Sequence, residues 1–152
     1  MWKVSQEEVE QLKRDLESYN FNSKEVQKTL NEIMDVNHEL SGLAKRKVSS
    51  ASTNVYHDRK VGLIEKRTQL EQKLHASHEY KSIKKIDTMM ASLNCLEQDI
   101  IREKFFNSTS YRSIAKMMQC DESTIRKKAY AILRFLVRQQ KNSENNKNPS
   151  RG

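Results

Sequence analysis

The chain has 152 residues, with only 3 glycines, 1 proline and 2 cysteines. So few turn formers exclude a β-sandwich or barrel, which must reverse about every ten residues, and Gly42, Gly62 and Gly152 cannot make a Gly-rich phosphate loop. Charged residues make up 32% and hydrophobic residues 36%, which predicts a helical protein with long solvated faces and a modest core, and the net charge of +8 leaves a nucleic-acid or an anionic-membrane partner open.

The N-terminal stretch MWKVSQEEVEQ has no apolar core of a signal peptide. The longest uninterrupted apolar run, Ala129 to Leu133, is far too short to span a bilayer. Cys95 and Cys120 form no CxxC pair, which excludes zinc ribbons and fingers, and both read as small buried hydrophobes in a reducing compartment. The expectation is a cytoplasmic protein with no membrane partner.

The charge is uneven. Residues 1–44 are net −4, residues 45–107 net +5, and residues 108–152 net +7. An acidic beginning and a basic end suggest two jobs.

In chain order, the first element is a long heptad helix. Val9, Leu12, Leu16, Tyr19, Ser23, Val26, Leu30, Ile33, Asn37 and Leu40 step by 3 and 4 without a break. Ser5, followed by Glu7 and Glu8, suits the N-cap. Asn20 to Ser23 are poor helix formers, so this is one helix with a soft spot or two with Ser23 capping the second. The unbroken phase favours continuity. Asn37 either fixes register within the seam or marks where the seam frays into water.

VSSASTN at residues 48–54 reads as a loop, with the connection running to about residue 57 and a second helical stretch starting near Asp58. Val61, Ile64, Leu70 and Leu74, then Ile83, Ile86, Met90 and Leu93, give that stretch its apolar face, and the polar segment His75 to Glu79 is where its register can shift. Residues 5–92 are therefore read as a long-helix partner or oligomerisation region. Its helices can pair as a hairpin within one chain or between chains as a homodimer.

Residues 93–140 form the second predicted domain. Leu93, Leu96, Ile100 and Ile101 make one amphipathic helix closed by Phe105 and Phe106. Asn107 to Thr109 turn the chain, Ser110 caps a short helix ending at Met118, Gln119 to Asp121 turn again, and a longer helix follows from Glu122. Ile114 and Met118 face inward, Ala115 sits at the crossing, Cys120 plugs the turn, and Ile125, Ala129, Ile132 and Leu136 line the inner face of the last helix. The order and spacing match a helix-turn-helix. The outward face of the last helix is then Glu122, Ser123, Arg126, Lys127 and Tyr130. Arg126 can bond a guanine edge with both arms of its guanidinium. Ser123, Thr124, Lys127 and Lys128 can reach phosphates, and Arg112 and Lys116 on the supporting helix can hold the flanking backbone. Gln119 stands where such turns often carry glycine, and Lys128 where an apolar residue is common. The polar tail 141–152 is expected to be disordered.

The segment carrying Leu96-Glu97, Ile100-Ile101, Phe105, Ser110, Ile114-Ala115, Asp121, Thr124-Ile125 and Arg126 resembles the sigma-70 region 4 type of helix-turn-helix, over about 45 residues. With long helices before it, the chain is similar to phage and prophage transcriptional regulators of the ArpU and RinA type. The resemblance implies an all-α fold and sequence-specific binding of double-stranded DNA, with late-gene activation and contact with the host RNA polymerase. It gives the DNA-contact role to Arg112, Ser123, Thr124, Arg126 and Lys127. The resemblance weakens before residue 90, where the aromatic run of a sigma region 2 is missing: Trp2 is the sole tryptophan.

Two other classes fit the same outline: a terminase small-subunit-like assembly protein, and a coiled-coil adaptor that never touches DNA. No catalytic constellation or cofactor is expected. His75 and His78 share one helix face near Glu71 and Glu79, but HExxH is absent, and no metal site is assigned.

Overall fold

The computed structural model describes residues 4–45 and 53–146, and among these every regular element is helical. The helices are α1 (Gln6–Glu17), α2 (Tyr19–Lys45), α3 (Thr53–Ala76), α4 (His78–Ala91), α5 (Cys95–Ile101), α6 (Tyr111–Met118) and α7 (Glu122–Asn146). A π-helical turn, Arg102–Phe106, continues α5. The chain divides into two compact units, residues 21–83 and residues 1–20 with 84–152.

In the unit of residues 21–83, α2 and α3 pair antiparallel within one chain. Val36 and Leu43 meet Leu63, with Leu40, Tyr56 and Leu70 against them. Polar ties run the same way: Arg59 bonds Glu39 at 3.1 Å, and Arg67 donates to Asn37 Oδ1 at 3.1 Å. Asn37 is therefore an exposed residue on the edge of the pair, not a buried register pin. The expected heptad does not persist. Ser23 and Leu30 are exposed, and the buried seam of α2 is Ile33, Val36 and Leu43. The break falls at Ser18, not at Ser23. Ser18 is the C-cap of α1, and its N–H and its Oγ both donate to Arg14 O, at 3.1 and 2.9 Å. The connection is also shorter than expected: Thr53 to Asp58 already belong to α3, and the rest of the serine-rich stretch lies outside the described residues.

The other unit departs from the expected boundary at residue 92. Helix α1 opens with a capping box, Ser5 Oγ accepting from the Glu8 amide at 3.2 Å. Its Val9, Leu12 and Leu16 enter one core with Ile86, Met89, Met90 and Leu93 of α4 and its exit, Ile100, Ile101 and Phe105, and the inner residues of α6 and α7. The 3-4 spacing of α1 specifies a buried stripe but not its partner, and here the partner is the C-terminal helices. Helix α7 also extends through residues 141–146, which composition assigns to the tail; the remainder of that tail lies outside the described residues.

Two local features fix Tyr19 and Asn20, just after α1, to the end of α5. The π-helical turn shows as Asn107 N–H bonding back five residues to Arg102 O at 2.9 Å; Thr109 N–H then reaches Glu103 O at 2.8 Å, and the last carbonyls of the turn, at the helix end, need donors from elsewhere. Asn20 Nδ2 supplies one of those donors, to Phe106 O at 2.7 Å. The Tyr19 ring stacks on Phe106 with centroids 4.3 Å apart, and its hydroxyl donates to Asp87 Oδ1 at 2.7 Å. Burial and the neighbouring Asp87 carboxylate push the Tyr19 phenol up to about 12.

Leu96 departs from expectation. Asn94 caps α5 and pairs with Glu97 in a capping box, and Leu96 then faces outward with 47% of its surface exposed. The core positions on this element are Ile100 and Ile101.

Candidate nucleic-acid interface

Helix α6 begins at Ser110, whose Oγ accepts from the Ser113 amide at 3.2 Å. Ile114 and Ala115 are buried and Met118 is half-buried against the core. The helix ends in a left-handed residue, Gln119, with φ 55° and ψ 48°. This conformation turns the Cys120 amide back onto Ala115 O at 3.0 Å, satisfying an end carbonyl. The position where glycine is usual is thus the one that needs glycine's freedom, and Gln119 adopts it at a steric cost. Helix α7 starts three residues later, with the Ile125 amide bonded to Asp121 O at 3.2 Å.

The turn corrects one packing residue. Cys120 is exposed rather than plugged into the core, as is Cys95. With Gln119 left-handed and the Cys120 amide turned toward α6, the thiol is left on the outside. The other packing residues lie inside: Ile125 and Ala129 are buried, followed by Ile132, Leu133, Leu136 and Val137. α7 thus has one fully apolar face, leaving the other free to carry charge.

That other face carries the expected polar residues. Ser123, Arg126, Lys127 and Lys128 are exposed, while Glu122, Thr124 and Tyr130 are half-buried. Arg112 and Lys116 are exposed on α6. Arg126 donates to Glu122 Oε1 at 2.8 Å, and its guanidinium carbon lies 5.0 Å from the centre of the Tyr111 ring. Lys104 approaches the same ring at 4.2 Å. Arg134 stacks on Tyr130 at 4.8 Å, and the Tyr130 hydroxyl donates to Gln6 Oε1 of α1.

These residues line an open groove of about 670 Å³. Its walls are Arg126, Lys127, Tyr130, Ala131, Arg134 and Arg138 of α7, Tyr111 of α6 and Lys13 of α1. The structure thus brings Arg126, Lys127 and Tyr130 together. Lys128 is not with them. It lies one residue further round the helix and lines a second hollow beside Asn94, Leu96, Glu97 and Phe135. Lys13, Tyr111, Arg134 and Arg138 join the groove without having been expected from the sequence. The i,i+4 stripe Arg126, Tyr130, Arg134, Arg138 is a signal that could have found two of these four, Arg134 and Arg138, whereas Lys13 lies about a hundred positions or more from its neighbours in the groove.

Two acids of α1, Glu8 and Glu10, are each paired with a cation. Glu10 lies 3.3 Å from Lys13, and this ammonium, helped by Gln6, holds the Glu10 carboxyl below its usual range. Lys141 bonds Glu8 at 2.8 Å and holds its carboxyl low in the same way, against a smaller opposing effect of burial. Both acids stay ionised at neutral pH, and each has a cation beside it.

Elsewhere, the His75 ring packs edge-on against Tyr80 at 4.9 Å. Among the described residues no three His, Cys, Asp or Glu side chains converge as metal ligands, and no helix is long and apolar enough to cross a membrane. Comparison with family models, with curated proteins and with solved structures gives no match.

Proposed function

We propose that the chain is a sequence-specific DNA-binding transcriptional regulator of the phage or prophage late-activator kind, working as a binding protein without catalysis or cofactor. α6, the turn and α7 act as a sigma region 4-like helix-turn-helix, and the host RNA polymerase is the protein partner. The observation that carries this reading is the division of α7 into two faces. Ile125, Ala129, Ile132 and Leu136 are buried against the core, while Ser123, Arg126 and Lys127 stand exposed at its N-terminal end. An α-helix presented this way fits the major groove, and its first two turns reach base edges. Arg126 is the base-reading residue, while Ser123, Thr124, Lys127, Arg112 and Lys116 hold phosphates.

The test is binding to a duplex selected from a random library. Arg126→Ala should cost about 1–3 kcal/mol on that site and relax base preference at one position. Lys116→Ala should weaken all duplexes alike. If both variants bind like the parent chain, this docking of α7 is wrong.

A further inference from the structure

The region 4-like reading uses only the first turns of α7, yet the cationic groove runs well past them. Arg126, Tyr130, Arg134 and Arg138 form one stripe at intervals of four residues. At about 1.5 Å per residue the stripe is roughly 18 Å long. The major groove is only about 12 Å wide. If Arg126 is at the base edges, Arg138 has passed the groove wall and lies over a sugar–phosphate strand.

We infer that Lys13 of α1 and Arg134 and Arg138 of α7 form a clamp for the phosphate backbone of one DNA strand, beside the base pairs read by Arg126. This inference rests on the DNA-binding reading above and extends it to a helix outside the helix-turn-helix. Three observations support it. First, α1 is built in: Val9, Leu12 and Leu16 lie in the same core as α7, so Lys13 has a fixed place on the wall. Second, the guanidinium of Arg134 is held over the Tyr130 ring, which restrains a planar fork suited to two phosphate oxygens. Third, the balance of charge names a polyanion. Lys13, Arg126, Lys127, Arg134 and Arg138 line the groove. The carboxylates bonded to these cations are Glu10 on Lys13 and Glu122 on Arg126. The Lys13 side chain keeps 28% of its surface exposed beside Glu10, so a phosphate can approach it without unfolding α1.

The experiment uses the full chain with the double change Lys13→Gln and Arg138→Gln. Two fluorescein-labelled duplexes serve as probes, one carrying the selected site and one of random sequence. Binding is followed by anisotropy between about 50 and 200 mM salt, where the logarithmic salt slope falls by about 0.9 for each phosphate no longer neutralised. The clamp predicts a slope shallower by nearly two, the same proportional loss on both duplexes, and unchanged base preference. Lys13→Arg should keep the parent slope, since it keeps the charge. If the double variant keeps the parent slope while Arg126→Ala still relaxes base preference, the clamp is refuted and the DNA-binding reading stands. If the parent chain binds neither duplex even at low salt, the DNA-binding reading fails and the clamp falls with it.

Discussion

The placement of α1 in the C-terminal core makes a sharp prediction at Leu16. This side chain has 0% of its surface exposed and lies in one cluster with Ile86, Ile100, Phe105 and Leu136. Leu16→Ala removes three carbons from a site lined by several helices and leaves a cavity that they can only partly fill. Such changes cost about 2–5 kcal/mol, a large share of the roughly 5–15 kcal/mol that holds a domain together. With a urea dependence of about 1–3 kcal/mol per molar, a loss of about 3 kcal/mol lowers the unfolding midpoint by roughly 1–3 M. Leu30→Ala, at an exposed position of α2, is the comparison and should shift stability by no more than about 0.5 kcal/mol. Amide exchange locates the effect: α1 and α7 should lose protection together in the Leu16 variant. If Leu16→Ala costs no more than Leu30→Ala, or loosens α1 while α7 keeps its protection, α1 is not part of that core.

Two further predictions concern local chemistry. Gln119→Gly relieves a left-handed residue with a side chain, at φ 55°. It should stabilise the fold by up to about 1 kcal/mol, less whatever glycine's extra freedom costs in the unfolded chain, read as a rise in melting temperature; a fall would mean that the Gln119 side chain makes an interaction worth more than the strain. Tyr19 holds its proton longer when folded, up to about 12 against 10.0 for the free side chain. Its contribution is therefore complete below pH 10 and is lost as pH rises toward 12. The stability difference between the parent chain and Tyr19→Phe should shrink across that window, and a constant difference would mean that the Asp87 bond does not control the phenol.

What can be read in the sequence follows from what periodicity encodes. The all-helical class, the Ser5 and Ser110 caps and the inner face of α7 are legible because each depends on residues within a few positions of one another. The domain boundary is not. The seam of α1 looks the same whether it meets another heptad helix or the C-terminal core, because spacing records a buried face and not its partner. The heptad runs through Ser23 and Asn37 in spacing alone: both side chains are exposed, and the helix breaks at Ser18 without any break in the spacing. At the site, Arg126, Lys127 and Tyr130 are visible as one helical face. Adjacency groups Lys128 with them, although one step of an α-helix turns a side chain into a different hollow. Lys13 cannot be placed there from sequence, because only the folding of α1 onto α7 brings it to the groove. Cys120 misleads because an apolar residue in a turn reads as a plug until the turn's dihedrals are known.

The most direct test of the central claim is selection of bound duplexes from a random library with the full chain, followed by footprinting of the enriched sequence. The account predicts one enriched site with protection in the major groove. Arg126→Ala should shift the preferred base at one position of that site, and the backbone protection should extend to the side facing Arg138. A library that yields no enriched sequence, from a chain that retains no duplex at low salt, would contradict it.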